Sequence, residues 1–109
     1  MKLVKCIIRP NKVDDVREAL EKASVSGMTI TEVRGHGRQK GHKAVYRGRE
    51  YDVSLLPKTM IEMVVAEELV DEVIGVIMKS ARTGDVGDGR IWVMNIEDGY
   101  NIRTAARDA

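Results

Sequence analysis

The sequence predicts an α+β fold of four strands and two helices in the order βαββαβ, the ferredoxin-like arrangement, in which both helices lie on one face of an antiparallel sheet. Three observations predict it. Apolar residues recur at helical spacing in two separate stretches, short runs rich in β-branched residues flank each of them, and those runs are apolar on both faces. Two helices cover only one face of a sheet, so the second face calls for a cover outside the chain, and another copy is the simplest one.

Taken in order, Leu3 to Arg9 reads as a short buried strand, broken by Pro10 just ahead of a helix. Val13, Val16, Leu20 and Ala23 then place an amphipathic helix over residues 12 to 24. Asn11 is its expected N-cap, Asp14 and Asp15 suit its positive end, and Gly27 closes the unit. Met28 to Arg34 is the second strand. Residues 35 to 56 carry Gly35, Gly37, Gly41 and Gly48 without a sustained apolar period, and read as one long functional excursion. Thr59 to Val65 is the third strand, with Ile61, Met63 and Val65 on one face and Met60, Glu62 and Val64 on the other. Leu69, Val70, Val73, Ile74, Ile77, Met78 and Ala81 form the second helical stripe, with Gly84 as its expected C-cap. A tight glycine-rich loop, Thr83 to Arg90, leads into a fourth strand, Arg90 to Ile96. The tail from Glu97 is polar and carries no pattern.

The 109 residues suit one domain, residues 1–109. No apolar run approaches the roughly 20 residues that span a bilayer, and charge interrupts the apolar start where a signal peptide would need it continuous. The single cysteine, Cys6, excludes an internal disulfide framework and suits a reducing cytoplasm; within an apolar run it reads as a packing residue. The formal charge of +1 hides an asymmetry, because Arg34 to Glu50 holds six cations and one anion and is +5, leaving −4 elsewhere. A cationic loop on a mildly acidic body points to an anionic ligand or partner met at one place.

Two segments carry candidate chemistry. In Thr83-Gly84-Asp85-Val86-Gly87-Asp88-Gly89-Arg90, close glycines let successive N–H groups converge on an anion, and Arg90 adds a charge; an ordinary tight turn is the alternative. No Gly-Lys-Ser/Thr follows a strand, so this is not a Walker A loop. In Gly35-His36-Gly37-Arg38-Gln39-Lys40-Gly41, Arg38 and Lys40 offset phosphate charge, the alternative being a solvated basic loop. Two such loops in so short a chain point to a phosphate ligand. Glu62, a carboxylate in an apolar strand, needs exposure or a partner, which a ligand amine or solvent at a strand edge would supply equally. His36 and His42 have no Cys nearby, so no zinc site is expected, and no nucleophile–base constellation assigns catalysis. A nucleic-acid-binding module is the competing class, disfavoured by only four aromatics (Tyr46, Tyr51, Trp92 and Tyr100) and an acidic body.

Gly-His-Gly-Arg-Gln-Lys-Gly-His (35–42), Tyr-Arg-Gly-Arg-Glu-Tyr (46–51), Leu-Pro-Lys (56–58) and Thr-Gly-Asp-Val-Gly-Asp-Gly-Arg (83–90) together resemble the nitrogen-regulatory PII signal-transduction family, over residues 1 to about 96. The resemblance implies a cytoplasmic homotrimer that binds ATP or ADP between subunits and is not an enzyme. It implies that phosphates meet Gly37, Arg38, Gln39, Gly87, Asp88, Gly89, Arg90 and Arg103, and that adenine lies near Thr29, Glu62 and Val64. Magnesium, held by ATP and Gln39, would complete a 2-oxoglutarate site with Arg9, Lys40, Gly41 and Lys58. The excursion, about 36–56, corresponds to a mobile T-loop that docks on ammonium transporters or nitrogen-assimilation enzymes and regulators. Within it Tyr51 falls where many relatives are uridylylated or adenylylated; packing beside Val53 and Leu55 is its plainer reading. The loop at about 82–90 and the tail at 97–109 complete the layout. Asn101 stands where the family commonly has Arg, and Glu97-Asp98-Gly99-Tyr100 is also unusual, which leaves a PII-like regulator of a different transport or metabolic system as the alternative.

Overall fold

The computed structural model describes residues 1–36 and 55–109 in full and residues 43–46 and 49–52 as backbone. Its elements are β1 (Lys2–Ile8), α1 (Val13–Lys22), β2 (Thr29–Gly35), β3 (Lys43–Tyr46), β4 (Arg49–Asp52), β5 (Leu56–Val65), α2 (Val70–Ala81) and β6 (Gly89–Asn95). Four strands form one antiparallel sheet in the order β2-β5-β1-β6, so the ferredoxin-like fold is present.

The register sorts the side chains. Val4 lies opposite Met63 and Val93, Cys6 opposite Ile61 and Ile91. That face packs on Val16 and Leu20 of α1 and on Val73, Ile77 and Ala81 of α2, forming the buried core, with Val93 on the edge strand left 41% exposed. Burial raises the Cys6 thiol to about 11, against a smaller opposing effect of its hydrogen bond with the Ile61 backbone. The other face carries Leu3, Ile7, Met60, Val64, Trp92 and Met94 around a central Lys5–Glu62 ion pair of 3.3 Å. Val64, Trp92 and Met94 are each more than two-fifths exposed, so an apolar sheet face stands open in the isolated chain.

Several expected boundaries are corrected. Asn11 does not cap α1: Pro10–Lys12 forms a 3-10 turn, and Lys12 precedes α1 without a side-chain cap. Pro10 at the first position, with Arg9 extended before it, enforces that turn. Helix α1 runs to Lys22, two residues short of the expected 24, and the unit closes at Ser24 rather than at Gly27. Ser24 adopts φ 68°, and its N–H and that of Val25 donate to the carbonyls of Glu21 and Leu20, a Schellman closure with Val25 buried beneath it. Gly84 is not the cap of α2, whose chain turns extended at Arg82. The excursion is not structureless either, because β3 and β4 pair with Tyr46 opposite Arg49 and Lys43 opposite Asp52, and β5 begins at Leu56 rather than Thr59. The tail folds back on itself. Tyr100 bridges Arg107, and Gly99 exchanges backbone hydrogen bonds with Asp108 and Ala109. Among the described residues no helix is long and apolar enough to cross a membrane.

Candidate functional site

The sheet register brings the ends of β1, β5 and β6 together at one corner. Ile8 lies opposite both Thr59 and Gly89, so Arg9, Lys58 and the 83–90 loop become neighbours. Gly89 is required there: its φ is 108°, and an added Cβ would lie 1.7 Å from the Ile7 carbonyl oxygen.

Asp88 organises the loop. Its carboxylate accepts from the N–H groups of Thr83 and Gly84, each at 2.9 Å, from the Thr83 hydroxyl, and from Arg9 Nε at 3.1 Å. Partial burial opposes its charge, but those donors outweigh it and hold the carboxyl well below the usual carboxylate range. Thr83 Oγ1 in turn accepts from the Asp85 N–H at 3.1 Å. The carboxylate of Asp88 is therefore directed into its own loop, and what it leaves outward is backbone. Among the described residues nothing accepts from the N–H groups of Val86, Gly87 and Asp88. Gly84, Gly87 and Gly89 all take positive φ, the geometry in which such groups converge on an anion.

Two cations border this loop. Arg9 also donates to the Val86 carbonyl at 2.9 Å, and Lys58 Nζ donates to the Gly87 carbonyl at 2.7 Å. Burial lowers the Lys58 pKa, the neighbouring Arg9 charge lowers it further, and Asp88 partly restores it. A hollow of about 410 Å³ beside Lys58 is lined by Pro10, Glu32, Val33, Arg34, Pro57 and Thr59.

The expected residues fall into four groups. Arg9, Lys58, Gly87, Asp88, Gly89 and Arg90 meet at this corner. Thr29 and Glu62 are directly opposite on β2 and β5, with Val64 two residues on, further along the sheet. Glu62 finds the partner that its apolar surroundings demand in Lys5, across the strand pair, an ion pair that strand pairing predicts once the register is known. Arg103 is exposed in the tail turn. Gly37, Arg38, Gln39, Lys40, Gly41 and His42 lie outside the described residues, as does the side chain of Tyr51. Among the described residues no group of three or more His, Cys, Asp and Glu is placed to hold a metal. Thr83 and the Arg9–Asp88 contact escaped sequence reasoning. The spacing Thr-x4-Asp just beyond a helix was the available signal, since both residues can bond backbone there.

Fold and corner together define a small ferredoxin-like protein whose glycine-rich loop, pinned by an internal aspartate, faces two cations. The family model described as nitrogen regulatory protein P-II matches residues 1–106. A nitrogen regulatory protein P-II of Rhizobium etli is 53% identical over 109 residues, covering 100% of this chain and 97% of that protein. One from Haemophilus influenzae is 55% identical over 104 residues, 95% of this chain and 93% of its own length. Nitrogen regulatory protein GlnK of Escherichia coli K12 is 50% identical over 108 residues, 99% and 96% of the two chains. The chain belongs to the P-II nitrogen regulatory protein family, a family of signalling regulators rather than enzymes.

Proposed function

We propose that this chain is an ATP/ADP- and 2-oxoglutarate-binding sensor of nitrogen, carbon and energy status. It acts in the cytoplasm as a homotrimer, with residues 1–109 working as one domain. The observation that carries the reading is the pair of cations at the glycine loop. Lys58 is disfavoured as a cation first by burial and then by the neighbouring Arg9 charge, an arrangement that an anionic ligand relieves.

The residues fit the ligands. The N–H groups of Gly87 and Asp88, with Gly89 shaping the turn, suit phosphate oxygens, and Arg90, Arg38 and Arg103 add charge. Gly37 and Gln39 would complete the cradle, with adenine near Thr29, Glu62 and Val64. Gln39 would hold magnesium together with ATP. When bound, that metal supplies the second cation that a dicarboxylate needs. Lys58 pairs with one carboxylate, and Arg9, Lys40 and Gly41 surround the ligand. The open sheet face, with Trp92 and Met94, supports assembly of subunits on one another.

The output is regulation of nitrogen-related targets, ammonium transporters or nitrogen-assimilation enzymes and regulators, through the T-loop at about 36–56. Tyr51 within it is the modification point. A nucleotide added there would bring bulk and negative charge to a +5 segment and weaken docking. Intact-mass measurement from nitrogen-starved and nitrogen-replete cells tests this. Protein unmodified in both states, with full partner binding by Tyr51→Ala, contradicts it.

The site itself is tested by titrating Lys58→Ala with 2-oxoglutarate in the presence of Mg-ATP. Loss of one charge-assisted contact should weaken binding by about 1.5–3 kcal/mol. Because only protonated Lys58 attracts a carboxylate and its pKa is lowered, wild-type affinity should fall with rising pH at a lower pH than an ordinary lysine would give. Unchanged affinity in the variant overturns the assignment.

A further inference from the structure

The tail contains two arginines outside the body, and the structure treats them differently. Arg107 is committed: it pairs with Asp98, donates to the Ala109 carbonyl and bridges Tyr100. Arg103 is exposed, with no carboxylate partner among the described residues, and lies in the turn that the Tyr100–Arg107 bridge closes.

That turn is built on Asn101. Its backbone N–H donates to the Ala106 carbonyl at 2.9 Å, and its carbonyl accepts from the Ala105 N–H at 2.8 Å. Its side-chain Oδ1 accepts from the Thr104 N–H at 3.1 Å, and Thr104 Oγ1 accepts from Ala106 at 3.2 Å. Ala105 is held at φ 59°, a conformation that a residue with a Cβ adopts only where its surroundings enforce it. An arginine at 101 has five donors and no acceptor, so it cannot close the turn through its side chain.

We infer that Asn101 is a positioning residue for the nucleotide: its side chain fixes the 101–106 turn so that Arg103 is presented, already ordered, to the phosphates. The inference rests on the reading of Arg103 as a phosphate contact. Asn101 brings no charge of its own and acts by ordering the cation at 103. Ordering a long side chain's backbone before binding removes part of the entropy that binding would otherwise cost.

Calorimetric titration of the intact protein with Mg-ATP tests it, using Asn101→Ala, Asn101→Asp, Arg103→Ala and the Asn101→Ala/Arg103→Ala double variant. Asn101→Ala should weaken binding about three- to tenfold, the worth of one turn-closing hydrogen bond. Asn101→Asp keeps the acceptor and should recover most of that loss despite its unfavourable charge. The double variant should bind no worse than Arg103→Ala, because the asparagine acts through the arginine. Hydrogen exchange at the Thr104 amide should accelerate in Asn101→Ala and not in Arg103→Ala. If Arg103→Ala binds like wild type, the phosphate reading and this inference fall together. If Arg103→Ala is weakened but Asn101→Ala is not, or the two losses add, the phosphate reading stands and the positioning role is overturned.

Discussion

Ser24 sits in the left-handed region that glycine occupies without penalty, and it does so because the chain beyond α1 must return Val25 to the core. The closure bonds to Glu21 and Leu20 hold it there. Ser24→Gly should raise stability by about 0.5–1 kcal/mol, the relief of backbone strain less the extra freedom of the unfolded chain. Denaturant midpoints at equal protein concentration check it, and a lower midpoint contradicts it. Nothing in the sequence distinguishes Ser24 from a helix residue. Gly27, expected to close the unit, is the plainer glycine signal, yet the closure that returns Val25 to the core falls at Ser24. Glu62 gives the same lesson: its oddity in an apolar strand was plain, but its partner Lys5 is 57 residues away and becomes visible only through the β1–β5 register.

At the scale of elements, the parts driven by apolar periodicity were legible, and the parts held by polar contacts were not. The four sheet strands and both helices fall within a few residues of their expected bounds, because a strand or helix facing a core shows its period. β3 and β4 did not show, since Lys43-Ala44-Val45-Tyr46 and Arg49-Glu50-Tyr51-Asp52 mix charge with apolar residues and pair with each other rather than with the main sheet. The tail turn is closed by backbone groups and Asn101, without an apolar period. The 83–90 loop was legible as a glycine cradle, but its anchor was not, because Arg9 and Asp88 are 79 residues apart in sequence. That anchor has a pH signature. The carboxyl of Asp88 is held below its unfolded value of about 3.9, so its ionised contacts stabilise the fold above that pH and are lost as pH falls toward the folded value. Asp88→Asn should cost about 1–3 kcal/mol at pH 7, and the deficit should shrink below about pH 4. Chemical denaturation at pH 7 and pH 3 measures both, and an equal deficit at the two pH values contradicts the account.

For the whole molecule, the open sheet face and the corner site make one argument. Trp92 is 42% exposed, Met94 43% and Val64 45%, beside Leu3, Ile7 and Met60. Covering such a surface is favourable by about 25 cal/mol per Å² of apolar area removed from water. Light scattering over a dilution series should give about three chain masses, and Trp92→Glu should shift the protein toward monomer; a soluble monomer throughout contradicts assembly through this face. In the proposed function one corner joins two ligands, since Lys58 touches the same loop whose N–H groups suit a nucleotide. Linkage then makes the coupling reciprocal, each ligand tightening the other by the same factor. The most direct test is calorimetric titration of the wild-type protein with 2-oxoglutarate, first alone and then with saturating Mg-ATP. No measurable binding is expected in the first titration and clear binding in the second, with the same enhancement when Mg-ATP is titrated in the presence of 2-oxoglutarate. Equal 2-oxoglutarate affinity with and without Mg-ATP would contradict the proposed function.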